Sequence, residues 1–452
     1  MSGPKVVRIV TREELIAICE GHIATLRAAL EQWQKVGLRN ELIDSEDIRL
    51  AERRVAAMRD LLAADSFAEI QKQVPQEIAY LKTDMSRRIE RAVEEKAQVR
   101  NEDRRRVRAA EALGGALAAK GIDAPAALLS PGTQKAEDLQ VAIATAFKLL
   151  GSSLAESDGP TEHQRQLAAK LTDDNRLTLA EWLAGQPDAK NNNASDMLEL
   201  ERRLDELQAL DPVRGQMFAV RHSQVSADFS PRRSLLIDSL ATDIAKARWD
   251  AITEANAWEE LDAVFAQLEA VSGLQPELLS KVDGLRTSAP QVSEIKELTS
   301  RVREEAERTM KVQAEMAKRR AVMEGLSELG YAVKEGMQTA WVENGRVVLK
   351  SSKSPQYGVE IGGDPNSNMQ LRTVRFDGVG SATDVAADVA AETEFCGDFS
   401  KLQARVAADG GELLVVKALG VGATPVKRVA SEVRLEDVQK TVTNAPAASR
   451  KL

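Results

Sequence analysis

One helical stripe limits what this chain can fold into more than any other feature. Between Pro290 and Gly330, the residues Val292, Ile295, Leu298, Val302, Ala306, Met310, Ala314, Ala317 and Ala321 recur at steps of three or four. Ala321 lies 29 positions after Val292, reached in eight steps of about 3.6 residues each, the period of a straight α-helix. An earlier stretch, Gln76 to Leu117, repeats the pattern with Ile78, Leu81, Met85, Ile89, Val93 and Ala97. Both stretches are dense in charge. They predict two long helices forming an antiparallel, coiled-coil-like hairpin arm with a large helical insert between them. If Leu117 lies opposite Val292, Arg88 falls near Ala321.

The rest of the chain supplies a base, a head and a terminal domain. Lys5 to Val10 has β character and is expected to pair with a sheet elsewhere. Thr11 with Glu14 makes a capping box that opens a helix running to about Val36, and a second helix follows Asp44-Ser45. Ser66 with Glu69 makes another box, and Pro75 is expected to kink or restart the helix it begins. Gly114-Gly115 and Gly121 end the first arm helix. From Asp123 to Ala289 the pattern is broken by Pro131-Gly132, Gly159-Pro160, Gly185, Pro187, Pro212, Pro231, Gly273 and Pro276. Trp182, Trp249 and Trp258 fall there, which predicts an all-α head with its own core.

After Gly330 the composition turns to β-formers. Tyr331–Val333, Thr339–Glu343, Arg346–Lys350, Tyr357–Ile361 and Met369–Phe376 read as strands. Asn344-Gly345 between two of them reads as a hairpin turn. Thr383-Asp384 opens an amphipathic helix, and Leu413–Ala418 and Pro425–Val429 read as closing strands. The fold class is therefore mainly α with a small C-terminal α+β domain. The expected division is 1–74 for the base, 75–122 for the ascending helix, 123–289 for the head, 290–329 for the descending helix, 330–443 for the α+β domain and 444–452 for a disordered tail.

Composition narrows the function. The 452 residues carry a net charge of −9, which argues against wholesale nucleic-acid binding while leaving room for local basic patches. Cys19 and Cys396 are the two cysteines, far apart and without a CxxC partner. The three histidines, His22, His163 and His222, are scattered, so no metal site is legible. No stretch is apolar enough for a membrane span, and no signal peptide is visible, so the expected location is the cytoplasm.

A head on an antiparallel arm is similar in topology alone to chromosome-maintenance ATPases. No G-x-x-x-x-G-K-[ST] or dinucleotide fingerprint is present, so any NTPase would be another chain. No cofactor is implied. Cys396 sits among Glu392, Glu394 and Asp398 and reads as packed rather than nucleophilic. Cys19 and His22 share a helix face without further ligands, and pairs such as Asp173-Asp174 read as surface features. Gly362-Gly363-Asp364-Pro365-Asn366 reads as a tight turn, with a phosphate loop as the alternative.

Two sets of residues are candidates for contact. Arg87 and Arg88, with Lys318, Arg319 and Arg320, would form a basic collar for nucleic acid. The cluster Arg100, Arg104, Arg105, Arg106 and Arg108 reads instead as a solvated helix face. Trp341, Tyr357 and Phe376 lie in or beside the terminal strands and are candidates for partner docking, with core filling as the plainer reading. The expected function is a non-enzymatic scaffold or adaptor in a multi-protein assembly. Its partners would be other protein subunits, and a homo-oligomer is compatible. The alternative is an accessory nucleic-acid-binding subunit of a chromosome-maintenance or foreign-DNA-defence machine.

Overall fold

The N-terminal segment Lys5–Val10 is strand β1, and the terminal sheet is assembled on it. The computed structural model describes residues 3–155, 192–228, 231–273, 275–377 and 384–430. The protein is mostly helical with one sheet near the C-terminus, largely antiparallel. Before the sheet come α1 (Arg12–Arg39), α2 (Ser45–Ala63), α3 (Phe67–Ala119), α4 (Ala126–Leu129), α5 (Ala136–Ala155), α6 (Asn192–Leu210), α7 (Pro212–Ala227), α8 (Arg233–Ser272), α9 (Pro276–Thr287) and α10 (Val292–Glu328). The terminal elements are β2 (Tyr331–Ala332), α11 (Met337–Asn344), β3 (Arg346–Ser351), β4 (Tyr357–Gly363), β5 (Met369–Asp377), α12 (Val385–Ala408), β6 (Glu412–Ala418) and β7 (Lys427–Ala430). No described helix is long and apolar enough to cross a membrane.

The described residues divide into two compact units. The first holds Met1–Gln32, Ser45–Ala79 and Ala257–Leu452; the second holds Trp33–Asp44 and Tyr80–Asn256.

In the first unit the sheet order is β2-β3-β4-β5-β1-β6. One edge of β5 is shared end to end: β1 takes Met369–Leu371 and β7, running parallel, takes Val374–Asp377. The chain's first strand is thus an interior strand of its last domain. Alternate residues of β1 point to the same face, which buries Val7 and Ile9 completely. Helix α12 and the end of α10 cover that face, so Val322, Met323, Leu326, Trp341, Phe395, Phe399 and Leu402 make one core with the sheet. Asp384 caps α12 by accepting a hydrogen bond from the Ala387 amide. On the opposite face Gly358 has a structural reason. A Cβ there would lie 2.3 Å from the Leu349 carbonyl oxygen and 3.0 Å from the Phe376 ring. The ring lies over bare backbone.

Four sequence expectations need correction. Thr339–Glu343 is not a strand but part of helix α11. Burying Trp341 in the core outweighs a β-rich local composition. Gly345 does not turn a hairpin; its φ of +65° closes α11, because the left-handed conformation that suits such a turn also ends a helix. Pro75 does not restart the helix, since α3 runs through it from Phe67. An interior proline costs about 3 kcal/mol, which burial of Phe67, Ile70 and Val74 on the preceding turns can offset. Gly114-Gly115 does not end α3, which runs on to Ala119, and Gly121, with φ +68°, lies in the turn that follows.

The stripe on α10 is buried, beginning with the Gln291/Glu294 capping box. Its partners within the unit are α8 and α9. Ile295, Leu298, Val302 and Ala306 pack with Ala257, Leu261, Val264, Leu268 and Val282. Most of the stretch Gln76–Leu117, expected to pair with this stripe, belongs to the second unit, and residues 257–289 belong to the first.

In the second unit two clusters stand out. Leu200, Leu204 and Leu207 of α6 pack with Phe218 of α7 and Ile237, Leu240 and Ile244 of α8. Ala110, Leu113 and Leu117 of α3 pack with Leu128 of α4 and Leu139 and Ala146 of α5. Trp249, expected in a head core, is exposed, while Trp258 packs partly against the α8–α10 cluster of the first unit. Trp182, His163, Asp173-Asp174, Gly159-Pro160, Gly185 and Pro187 lie outside the described residues, as does the segment 444–452.

Candidate interaction surfaces

The predicted collar residues are largely engaged within the fold. Lys318 is only 4% exposed. Its ammonium donates to Glu14 Oε1 at 2.9 Å and to Asn366 Oδ1 at 3.1 Å. Arg319 donates to Glu315 at 3.1 Å and lies 6.0 Å from the Trp341 ring centre. Arg320 is exposed, with Glu13 at 3.8 Å. These three belong to the first unit and Arg87 and Arg88 to the second. Arg87 is exposed; Arg88 donates to Asp84 at 2.7 Å and to the Leu42 carbonyl at 3.0 Å. Of the second basic cluster, Arg100 is paired with Asp205 and Arg104 with Glu201 on α6, and Arg106 pairs with Glu102 and Asp103. Arg105 and Arg108 face solvent.

The candidate docking aromatics are in or against the sheet. Trp341 is 1% exposed and belongs to the core. Tyr357 is buried and donates its hydroxyl to Asp388 at 2.7 Å. Burial and that hydrogen bond push its phenol up to about 12. Phe376 is half-buried over Gly358, with Lys350 Nζ 5.6 Å from its ring centre. The loop Gly362–Asn366 is the β4–β5 turn. The Asn366 side chain donates to the Lys311 carbonyl and to Glu315, which straps the turn to α10.

Cys396, which sequence placed among acids, has Lys5 Nζ 2.9 Å from its sulfur, and that buried ammonium also faces the Phe395 and Phe399 rings. Cys19 is buried, which raises its thiol pKa, and burial lowers that of His22. Among the described residues no three His, Cys, Asp or Glu side chains are grouped to hold a metal ion.

Among the described residues, two further parts of the sheet carry side chains suited to contact, and the sequence analysis named the residues of neither. The first is β6, which ends the strand order. Leu414, Val415 and Val416 on it are 46%, 42% and 60% exposed. A β-bulge sits in its pairing with β1, between the partners of Val6 and Val7. The second is the face of the sheet away from α12. Register pairs share a face, so Arg346, Gly362, Gln370, Val6 and Lys417 form one row across it. Lys350, Gly358, Val374 and Lys427 form another. Between them lies Glu360, 4% exposed and ringed by cations. Arg372 bonds it, Lys427 donates at 2.7 Å, and Arg346 approaches to 3.7 Å. The visible signal was a cation at each end of R-V-V-L-K, four residues apart and so on one face of a strand, and Arg8 at the middle of V-V-R-I-V.

Burial pushes the Glu360 carboxyl up, but hydrogen bonds from Arg372 and Lys427, with their charges, hold it below the usual value of 4.5. A carboxyl with a lowered folded pKa contributes stability in full above its unfolded value, and loses it as pH falls through the folded one. Glu360→Gln is therefore expected to lower the urea midpoint at pH 7 and to flatten its fall below about pH 4.5. An acid limb as steep as in the parent chain would show that other carboxylates carry it.

Comparison of the chain with known protein families, characterised proteins and solved structures finds no match. What defines the class is a mostly helical chain whose first strand completes a sheet at its far end, with one apolar edge and one basic face.

Proposed function

We propose that this protein is a non-enzymatic scaffold or adaptor subunit of a cytoplasmic multi-protein assembly, which docks a partner protein through its sheet domain. The observation that carries this reading is the β6 edge. Among the described residues no strand pairs with its outer side, which lies beside three consecutive exposed apolar residues. Such an edge is a liability for a free protein and a ready template for an added strand. The bulge in β6 fits a surface that must not pair indiscriminately. Long charged helices suit the spacing part of such a role: α3 alone has 53 residues, about 80 Å at 1.5 Å each. An antiparallel arm bearing a helical head remains part of this proposal.

Deleting residues 330–452 would not test it cleanly. That deletion uncovers Val7, Ile9, Val322, Met323 and Leu326, so lost binding could reflect lost folding. The informative variant is Leu414→Lys with Val416→Lys. Both positions are already solvated, so the melting temperature should stay within a few degrees while recovery of the specific partner in a pull-down falls at least about tenfold. Undiminished recovery of the same partner would place docking elsewhere.

A second reading, an accessory subunit that contacts nucleic acid, is favoured by the basic sheet face rather than by the collar.

A further inference from the structure

We infer that the sheet face opposite α12 is a binding surface for the phosphate backbone of duplex nucleic acid. The face carries Arg8, Arg346, Lys350, Arg372, Lys417 and Lys427, set against Glu360 and Glu412. The chain as a whole is acidic, at −9, so a cationic face on it is a local departure and not a reflection of composition. Glu360 satisfies only part of the charge around it. Arg372 and Lys427 both bond this one carboxylate, and Arg346 stands 3.7 Å from it with most of its side chain in water. One buried anion thus orients the cations on the sheet without neutralising them. A 460 Å³ depression beside it is lined by Gly345, Arg346, Glu360, Gly363, Gln370 and Arg372, with glycine backbone leaving room for a ligand to approach.

The type of anion follows from what the face lacks. Protein partners draw their energy from buried apolar and aromatic anchors at the centre of the interface. The centre here has none exposed: Phe376 is half-buried over Gly358 with Lys350 above it, and Gly362 brings no side chain. Single-stranded nucleic acid needs aromatic platforms for its bases, and no ring on this face is free to stack. A duplex backbone needs only cations at suitable spacing. From β3 to β6 the face crosses four strand gaps, roughly 19 Å, the span of about five or six phosphates along one strand. Binding of this kind reads no sequence. The face borders the apolar β6 edge at Leu414, the register partner of Arg8, and the charge reversals below leave Leu414, Val415 and Val416 in place, so the two readings are tested by different variants.

The test is a titration of the full chain with a 20-base-pair duplex at several salt concentrations. Binding should weaken steeply with salt. The variant Arg8→Glu, Arg346→Glu, Lys350→Glu, Lys417→Glu changes only exposed side chains. At about 50 mM salt it should bind at least about tenfold more weakly, with the slope of log K against log salt smaller by roughly three or four. Far-UV and near-UV circular dichroism establishes that it is folded, and a variant with Arg346→Gln and Lys350→Gln gives a milder change if reversal at all four positions unfolds the sheet. The variant Arg87→Glu, Arg320→Glu should bind like the parent. No binding of the parent chain at low salt overturns the inference. So does equal binding by the quadruple variant, tighter binding to a single strand than to the duplex, or binding to an acidic polypeptide with none to the duplex.

Discussion

A chain lacking residues 1–10 is expected to lose the cooperative fold of its C-terminal sheet, although the deletion lies more than 300 residues from most of that sheet. Strand β1 is hydrogen-bonded to β5 on one side and to β6 on the other. Val7 and Ile9 are fully buried in the core shared with Trp341, Phe395 and Phe399. Burying two such side chains is worth about 1.5–3 kcal/mol each, before the two ladders are counted. Net stability of a domain is only about 5–15 kcal/mol, and without β1 the strands β5 and β6 lose the strand that joins them. The near-UV signal of buried Trp341 should collapse in the deleted chain while most helical far-UV signal remains. A peptide spanning Gly3 to Thr11, added in excess, should restore part of it. If the deleted chain keeps the parent's near-UV spectrum and melting temperature, β1 contributes little to the domain.

The second large effect concerns Lys318. Glu14, 304 residues away in sequence, accepts from its buried ammonium, and Asn366 accepts a second bond. Replacing one partner of a buried pair leaves the other charge without compensation, which costs about 3–5 kcal/mol. Lys318→Met should therefore lower the melting temperature of the first unit, by roughly 2–4 °C per kcal/mol for a domain of this size. Adding Glu14→Leu should recover much of the loss, because the orphaned carboxylate is removed and the site becomes apolar. Duplex binding by the Lys318→Met chain, measured below its melting temperature, should match the parent's. A single variant as stable as the parent would show that Lys318 is better solvated than its 4% exposure implies.

The long helices were legible in the chain because their evidence is local. Apolar residues at steps of three and four, Thr11 with Glu14, and Asp384 ahead of α12 each act within a turn or two of backbone. The strands at Arg346, Tyr357 and Met369 were legible for the same reason, through period two. Partners were not legible, because a stripe says that a face is buried and not against what. The α10 stripe could have met any apolar helix; α8 and α9 cover its first half, and the sheet core takes its last turns. Trp341 lay in a stretch of β-formers, and only its burial in the core of the sheet domain made that stretch a helix. Arg and Lys look alike in sequence whether solvated or paired. Lys318 became structural when folding brought Glu14 and Asn366 to it, whereas Arg346 and Lys350 stayed exposed because alternate residues of a strand point away from the core. Tertiary structure also put the first strand in the middle of the last domain. No local signal in K-V-V-R-I-V could name β5 and β6 as its neighbours, since those contacts close a loop of almost the whole chain.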